Sequence, residues 1–488
     1  MPQPRPGDEL AYALITPYSL HKSRTGGILA RLLWADVKLV AARMYAPRPD
    51  GRFLEEYCDA LYDPGEEHIP LRYQRLLIEY VVRNFGKPNA RGISNRLAVL
   101  VFRGPNAVRE VTEAVGHIGR GVQGDTVRGT FGDFLREESA HLEEDPAFRD
   151  RKGLLDKYER LREVDPEGPR NDFFEPAVLT ATTPQMNEAH LRLFRRYACS
   201  DGGFVLGALD GLNPRTTETS MVVLKPESFR HRNPLPGNLV DFFARSGMFM
   251  TGLKMIELTV QEAQEFYALK LPQFREQLKR MVADRARRIV REARMVAQEA
   301  VDRLGAEPAV AFRPANALAA ARRLEARLAG EQAPGEVKPP IVDRVFEELA
   351  ARLQDLQPPD GLYGQLAEEL KEMNARAEFD ELIRYMTGKD PATGCPLQAG
   401  EETHCMAILY SGPKALSVIR KRLKELREVY GQNVLRNRAH ASDPAEDPLK
   451  EMEVLGMPCS PQGETRPCDV ERVVSDFYGP DREPGQAG

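Results

Sequence analysis

Apolar residues near the start of the chain form two segments with the length and composition of buried strands. These segments are LAYALIT at 10–16, which ends at Pro17, and VKLVAARMY at 37–45. Between them, Gly27–Leu33 carries the apolar spacing with which an amphipathic helix begins. The opening of the chain therefore predicts a strand, a helix and a second strand.

The same order of elements recurs later in the chain. MVVLKP at 221–226 and FMTGLKMIEL at 249–258 predict strands, and the apolar residues between 239 and 243 predict a helix. Thr16 and Lys225 then hold equivalent positions, 209 residues apart. A repeat of this kind makes an internal duplication the simplest interpretation.

Later segments of the two copies also match, and in both copies a strand enters a helix through Gly-Pro. The matched pairs are 97–108 with 405–416, 125–132 with 424–431, and 173–194 with 433–451. The sequence therefore predicts an α+β protein made of two ferredoxin-like units of the order βαββαβ.

Each copy carries an insertion. Residues 136–170 are rich in charged side chains and predict a solvated helical excursion. Residues 271–377 have apolar residues at three- and four-residue steps, which predicts a helical insertion whose apolar stripes pack on each other or, alternatively, on a partner protein. The predicted domains are a first unit at 1–215, a second at 216–270 with 378–470, the insertion at 271–377 and a tail at 471–488.

Length and charge exclude some classes of function. A chain of 488 residues has room for two or three domains. Its 68 Lys and Arg against 73 Asp and Glu give a net charge of −5, which favours no nucleic-acid partner. The sequence shows no signal-peptide pattern and no apolar run near the roughly 20 residues of a membrane span. We therefore expect a cytoplasmic protein without a membrane partner.

The six cysteines are too few for a disulfide framework in a chain of this length, and they suit a reducing compartment. Two pairs lie loosely together: Cys395 with Cys405, which flank His404, and Cys459 with Cys468. Neither pair has the two-residue separation typical of zinc sites. The sequence therefore predicts no protein-bound metal.

One histidine lies in a segment with further polar residues at regular intervals, NVLRNRAHASDPAEDPLKE at 433–451. His440 is followed by a turn in which Ser442 or Asp443 could cap the next helix. Asn437 precedes it by three residues and Glu451 follows it by eleven. A nucleophilic histidine needs an acceptor that fixes its tautomer, which a carboxylate provides. Alone, such a histidine is more often a solvated surface residue.

The spacing in YGQNVLRNRAHASDPAEDPLKEME at 430–453 resembles the active-site segment of nucleoside diphosphate kinases. That segment has Asn, two residues, His, a small residue, Ser-Asp and a later Glu. This chain departs from it at Pro444, where Ser is common, while Ala441 is one of the two residues usual at its position. The resemblance implies that His440 takes a phosphate from a nucleoside triphosphate, with Mg²⁺ bound to the ATP, and passes it to a nucleoside diphosphate.

The resemblance assigns roles to further residues. It implies that Lys225 meets the transferred phosphate, that Tyr267 stands beside the histidine, and that the base stacks on Phe379. It also implies that Arg420, Arg427 and Asn437 bind the nucleotide, that Glu451 holds the distal ring nitrogen, and that Ser442 supports Glu451 or the turn. The alternatives are an exposed lysine at a strand end, aromatic core residues and solvated arginines on a basic helix.

Both copies depart from the family. Between the arginines of the second copy the family has a longer loop with a threonine and a Pro-Gly turn, whereas this chain has KRLKEL at 421–426. In the first copy, Thr16, Leu179 and Pro176 replace the lysine, histidine and asparagine, although Tyr57 and Arg128 remain. The first copy is therefore predicted to be inactive.

The sequence supports two hypotheses. The first is a nucleoside diphosphate kinase-like phosphotransferase in which His440 carries the phosphate. The alternative is a catalytically inactive nucleotide-binding or scaffolding protein. In either case we expect the two copies to pack as a pseudo-dimer within one chain, and further assembly into homo-oligomers remains open.

Overall fold

We describe the fold from a computed structural model. It describes residues 7–49, 51–65, 69, 71–86, 88–118, 124–135, 173–210, 212–213, 216–276, 362–398, 403–431, 437–442, 448–457 and 468–479. The predicted charged insertion and most of the predicted helical insertion lie outside these residues, as do Asp443 and Pro444. The chain divides into two compact units, one formed by Met1–Leu258 with Gln398–Gly488 and the other by Thr259–Leu397.

The first half of the larger unit contains the strands β1 Asp8–Ile15, β2 Lys38–Tyr45, β3 Leu97–Pro105, β4 Asp133–Leu135, β5 Phe173–Glu175 and β6 Val178–Leu179. Its helices are α1 Pro17–His21, α2 Thr25–Leu32, α3 Phe53–Leu61, α4 Leu71–Phe85, α5 Ala107–Val115, α6 Val127–Phe131 and α7 Pro184–Ser200.

The second half follows with β7 Thr217–Leu224, α8 Leu235–Ala244 and β8 Phe249–Ile256. The chain then enters the smaller unit, whose described helices are α9 Val260–Phe266 and α10 Leu362–Thr387. It returns to the larger unit as β9 Cys405–Pro413, α11 Ala415–Tyr430, β10 Ala439–Ala441, α12 Pro448–Val454 and α13 Asp469–Tyr478. No described helix is long and apolar enough to cross a membrane.

One antiparallel sheet of eight strands runs through the larger unit in the order β10-β7-β9-β8-β2-β3-β1-β6. The prediction of an α+β protein is confirmed. One face of the sheet packs against α2, α5, α8 and α11, and the other packs against α3, α4, α7 and α13. Strands β2 and β8 meet at the centre, where Arg43 pairs with Lys254.

The two halves repeat the same backbone features. Each has the strand order 4-1-3-2 when its four sheet strands are counted along the chain, and β2 and β8 each carry a register shift near their start. Left-handed residues precede α5 and α11 at Asn106 and Lys414, with φ of 50° and 57°. Leu14 pairs with Leu179 in the first half as Val223 pairs with His440 in the second.

Helices α2 and α8 cross closely because each has a glycine at the crossing point. A Cβ atom on Gly26 would lie 2.2 Å from the backbone nitrogen of Asp241, and one on Gly237 would lie 2.1 Å from that of Ala30. Real Cβ atoms do not approach backbone atoms so closely, so neither position has room for a side chain. The two contacts are reciprocal, because each glycine lies against the residue four positions after the other glycine.

A buried carboxylate also joins the halves where β2 and β8 meet. Asp469, the first residue of α13, accepts hydrogen bonds from Ala42 N–H (2.7 Å) and Met255 N–H (3.0 Å) through Oδ2. Burial raises the pKa of Asp469, and the nearby charges of Arg43 and Lys254 oppose this shift. One side chain thus satisfies backbone donors from both halves.

A disulfide between Cys199 and Cys468 attaches the start of α13 to the end of α7, with the Cα atoms 5.6 Å apart. The expectation of reduced cysteines is therefore wrong for this pair. The two residues are 269 positions apart in sequence, and only the folded chain brings them together.

We predict that Gly26→Ala destabilises the protein by about 1–3 kcal/mol, because the added methyl group must push the two helices apart. Alanine is a better helix former than glycine, so helix propensity alone would make this variant more stable than the wild type. Urea unfolding measures the difference. Gly124→Ala is the control, since a Cβ there meets nothing within 4 Å. A Gly26→Ala variant as stable as the wild type would contradict the close crossing.

We predict that alkylation without reductant labels the exposed Cys395 and leaves Cys199 and Cys468 unlabelled. Loss of the bridge in Cys199→Ala should cost about 2–4 kcal/mol of stability, because the unfolded chain gains freedom. Cys199 is the better position to change, since Cys468 Sγ also accepts Glu471 N–H at the start of α13. Cys395→Ala should leave stability unchanged, and equal labelling of all three cysteines would refute the bridge.

Candidate active site

His440 lies on the edge strand β10, in register with Val223 of β7. Cross-strand partners share a face of the sheet, and alternate residues of a strand do so too. Lys225 continues β7 in extended conformation, and its backbone N–H donates to Arg438 O at 2.9 Å. The side chains of His440 and Lys225 therefore leave neighbouring strands on the same face.

Glu451 on α12 holds the imidazole. Its Oε1 lies 2.9 Å from His440 Nε2, and the two residues are only 6% and 5% exposed. An ionised carboxylate only accepts hydrogen bonds, so this contact favours the form of the imidazole in which Nε2 carries a proton. The eleven-residue spacing seen in the sequence thus becomes one short buried contact.

Ser442 fixes the end of β10 against β7. Its N–H donates to Met221 O (3.0 Å), and its Oγ accepts from Met221 N–H (3.2 Å). The described part of helix α12 begins at Pro448, and the predicted capping role of Ser442 or Asp443 stays a prediction. Of the two predicted roles, supporting Glu451 or supporting the turn, these contacts belong to the turn.

Asn437 forms the turn that leads into β10. Its carbonyl accepts the N–H of Ala439 at 2.9 Å, and Arg438 between them is left-handed, with φ of 69°. The first half has the same turn, in which Pro176 O accepts from Val178 N–H at 2.6 Å. The role of the Asn437 side chain in nucleotide binding stays a prediction.

The two arginines of α11 differ in position. Arg427 Nη2 donates to Ala439 O at 3.2 Å, directly beside His440. Arg420 lies two turns earlier on the exposed side of the same helix. The helix runs without a break from Ala415 to Tyr430, whereas the first half has two helices, α5 and α6, joined by a connection. The shortened loop predicted from the sequence is therefore a continuous helix.

Tyr267 and Phe379 belong to the smaller unit. Tyr267 follows α9, is 3% exposed, and its hydroxyl contacts Met386 Sδ at 3.6 Å. Phe379 is half-buried on α10. In the larger unit, Glu451 contacts the His440 ring and Arg427 binds the carbonyl of the preceding residue. The predicted roles of Tyr267 and Phe379 stay predictions.

Sequence reasoning missed Glu227, two residues after Lys225. Its Oε1 accepts the backbone N–H of Arg438 at 2.9 Å. Burial raises the pKa of Glu227, and the charges of Lys225 and Arg438 act against this shift. The only sequence signal was an acidic residue after the lysine in VLKPES, and its partner is more than two hundred positions away.

The first half lacks the ring nitrogen on its edge strand, as Leu179 occupies the position of His440. His190 on α7 takes the place of Glu451. It contacts Tyr12 OH through Nδ1 (2.6 Å) and Ala60 O through Nε2 (3.0 Å). Burial lowers the pKa of His190 to about 4. The prediction that no phosphohistidine forms in this half stays a prediction.

The lysine position of the first half is also neutral. Thr16 Oγ1 donates to Glu175 Oε1 at 2.6 Å, and Tyr80 OH donates to Glu175 Oε2 at 2.6 Å. Arg128 keeps the place of Arg427, since it donates to Val178 O (3.1 Å) next to Leu179. Burial lowers the pKa of Arg128 to about 10. Packing and internal hydrogen bonds thus occupy the residues that correspond to the second site.

Within the described ranges, no group of three or more His, Cys, Asp or Glu side chains is arranged to hold a metal ion. No family model and no curated protein matches this chain. The functional assignment therefore depends on the residues described above.

We predict that His190 makes stability fall as the pH drops from about 6.5 to about 4. Its pKa in the folded protein is about 4, whereas the unfolded chain takes a proton near 6.5, so in this window the unfolded state binds more protons. The contribution of His190 to the free energy of unfolding reaches about 3 kcal/mol above pH 6.5. Urea titrations across this window should show a shallower pH dependence in His190→Gln. An identical slope in both proteins would show that His190 is not buried and neutral.

Proposed function

We propose that this chain is a nucleoside diphosphate kinase-like phosphotransferase with two ferredoxin-like halves, of which only the second is active. The strand order 4-1-3-2 in each half and the repeated turns before β6 and β10 support the tandem arrangement. The pairing of β2 with β8 at Arg43 and Lys254 supports a pseudo-dimer formed within one chain.

The contact between His440 and Glu451 carries the proposal. A buried carboxylate 2.9 Å from Nε2 holds the imidazole in one orientation and one tautomer. A solvated surface histidine would be neither buried nor held by a carboxylate. The nitrogen that Glu451 does not hold, Nδ1, is the nucleophile in the proposed reaction.

In the first step, Nδ1 attacks the γ-phosphorus of ATP, supplied as its Mg²⁺ complex, and ADP leaves. In the second, the phosphate passes from His440 to a nucleoside diphosphate. In this proposal the positive charges of Lys225 and Arg427 offset charge developing on the phosphoryl oxygens, and Arg420 and Asn437 complete the nucleotide contacts. Stacking of the base on Phe379, with Tyr267 beside the histidine, follows from the family resemblance.

One observation favours the alternative of an inactive nucleotide-binding protein. Helix α11 is continuous from Ala415 to Tyr430, and the longer connection that the first half has between α5 and α6 is missing. In the family, that loop contributes a threonine to phosphate binding. A chain that binds nucleotide but forms no acid-labile phosphoprotein with labelled ATP would fit this alternative.

We predict that His440→Ala abolishes phosphoenzyme formation, because no side chain next to it offers a ring nitrogen. Glu451→Gln should slow it about 10- to 100-fold, since a hydrogen bond to a charged group contributes about 1.5–3 kcal/mol. Adding Glu451→Gln to His440→Ala should change nothing further, as the two residues act as one unit. Radiolabelled ATP and an acid-labile, base-stable phosphoprotein on gels provide the measurement.

His404→Gln is the control for this experiment. His404 is as buried as His440, at 2% exposure, so a general effect of replacing a buried histidine would appear in it. The proposal predicts normal phosphorylation of His404→Gln. Label that persists in His440→Ala, or disappears in His404→Gln, would mean that another residue carries the phosphate.

A further inference from the structure

The residue before Ala439 and His440 adopts a conformation that side chains other than glycine rarely take. Arg438 has φ of 69°, in the left-handed region. This conformation turns the chain so that β10 can pair with β7 in the register that sets His440 opposite Val223. Any group that fixes the backbone of Arg438 therefore also fixes the position of His440 on β10.

Both backbone polar groups of Arg438 are bound by the segment that follows β7. Its carbonyl accepts the N–H of Lys225 at 2.9 Å, and its N–H donates to Glu227 Oε1 at 2.9 Å. The side chain of Glu227 is only 9% exposed. The segment from Lys225 to Glu227 thus binds both backbone polar groups of Arg438.

The first half meets the same requirement by a different route. Ala177 is the equivalent left-handed residue, with φ of 61°, and its carbonyl accepts the N–H of Thr16 at 3.2 Å. Its N–H donates to Glu175 Oε1 at 2.9 Å. A buried carboxylate therefore binds this N–H in both halves, although it comes from before the turn in one and from across the sheet in the other. The geometry of the turn explains this better than shared sequence does.

We propose that Glu227 is a positioning residue for His440, which acts by holding the backbone N–H of Arg438 so that the imidazole meets Glu451. This inference rests on the proposed function for its catalytic consequence only. Glu227 comes from the same short segment as Lys225, so one segment sets both the histidine turn and the lysine. Removing the acceptor would let Arg438 relax toward commoner backbone conformations and misalign His440.

Glu227→Leu and Glu227→Gln test the proposal as a matched pair, since both remove the charge at similar size but only glutamine keeps an acceptor for Arg438 N–H. In protein labelled with ¹⁵N-histidine, long-range ¹H–¹⁵N spectra report the tautomer of His440, assigned with His440→Gln. We expect a single wild-type tautomer in Glu227→Gln and a mixture in Glu227→Leu. Phosphoenzyme formation should fall at least about tenfold in Glu227→Leu and recover in Glu227→Gln.

A second variant separates positioning from folding. Glycine adopts positive φ readily, so Arg438→Gly should restore part of the single-tautomer signal to Glu227→Leu. Glu218→Ala is the control, because Glu218 Oε2 accepts a backbone N–H, that of Leu416 (3.2 Å), at the opposite end of β7. It should leave His440 unchanged.

Wild-type spectra and rates in Glu227→Leu would overturn the proposal. So would equal defects in the leucine and glutamine variants, which would assign the effect to charge. If the wild-type protein forms no phosphohistidine, the proposed function fails, yet the tautomer spectra still decide whether Glu227 positions His440.

Discussion

The pairing of β2 with β8 is the contact on which the larger unit depends. It joins two four-stranded sheets into one, with Arg43 and Lys254 paired where the two strands meet. Burying the cationic side chains Arg43 and Lys254 is costly unless they find polar partners, and the carboxyl group of Asp469 is buried beside them. The same carboxylate accepts backbone N–H groups from both strands, so the chain after the second half closes the joint between the halves.

The two halves share their backbone arrangement but carry different side chains at equivalent positions. The backbone presents Leu179 and His440 in the same register, and it presents His190 and Glu451 behind them. In the first half the pair is apolar against a neutral, buried histidine, which suits a packed core. In the second half the pair is an imidazole held by a carboxylate, an arrangement in which a histidine can act as a nucleophile. The same backbone arrangement therefore carries a packed core in the first half and a candidate reactive site in the second.

The polar residues near His440 form a connected set and are not independent ligands. Ser442 fixes one side of β10, Glu227 and Lys225 fix the turn before it, and Arg427 binds the carbonyl of Ala439. Hydrogen bonds to backbone groups in a buried edge strand are expensive to leave unmade, so each of these contacts also stabilises the strand. Preorganisation of the imidazole then follows from the way the edge strand is built.

The sequence by itself determined the α+β class, because apolar periodicity records short-range structure. It also predicted the repeat, and the family resemblance suggested Glu451 as the partner of His440. The position of Thr16 relative to Lys225, and of Leu179 relative to His440, followed from the repeat alone. The tertiary structure decided what joins distant positions: the β2–β8 seam, the glycine crossing of α2 and α8, the bridge between Cys199 and Cys468, and the contact of Glu227 with Arg438. These contacts link residues about two hundred or more positions apart, and no local pattern of residues encodes which of them will meet.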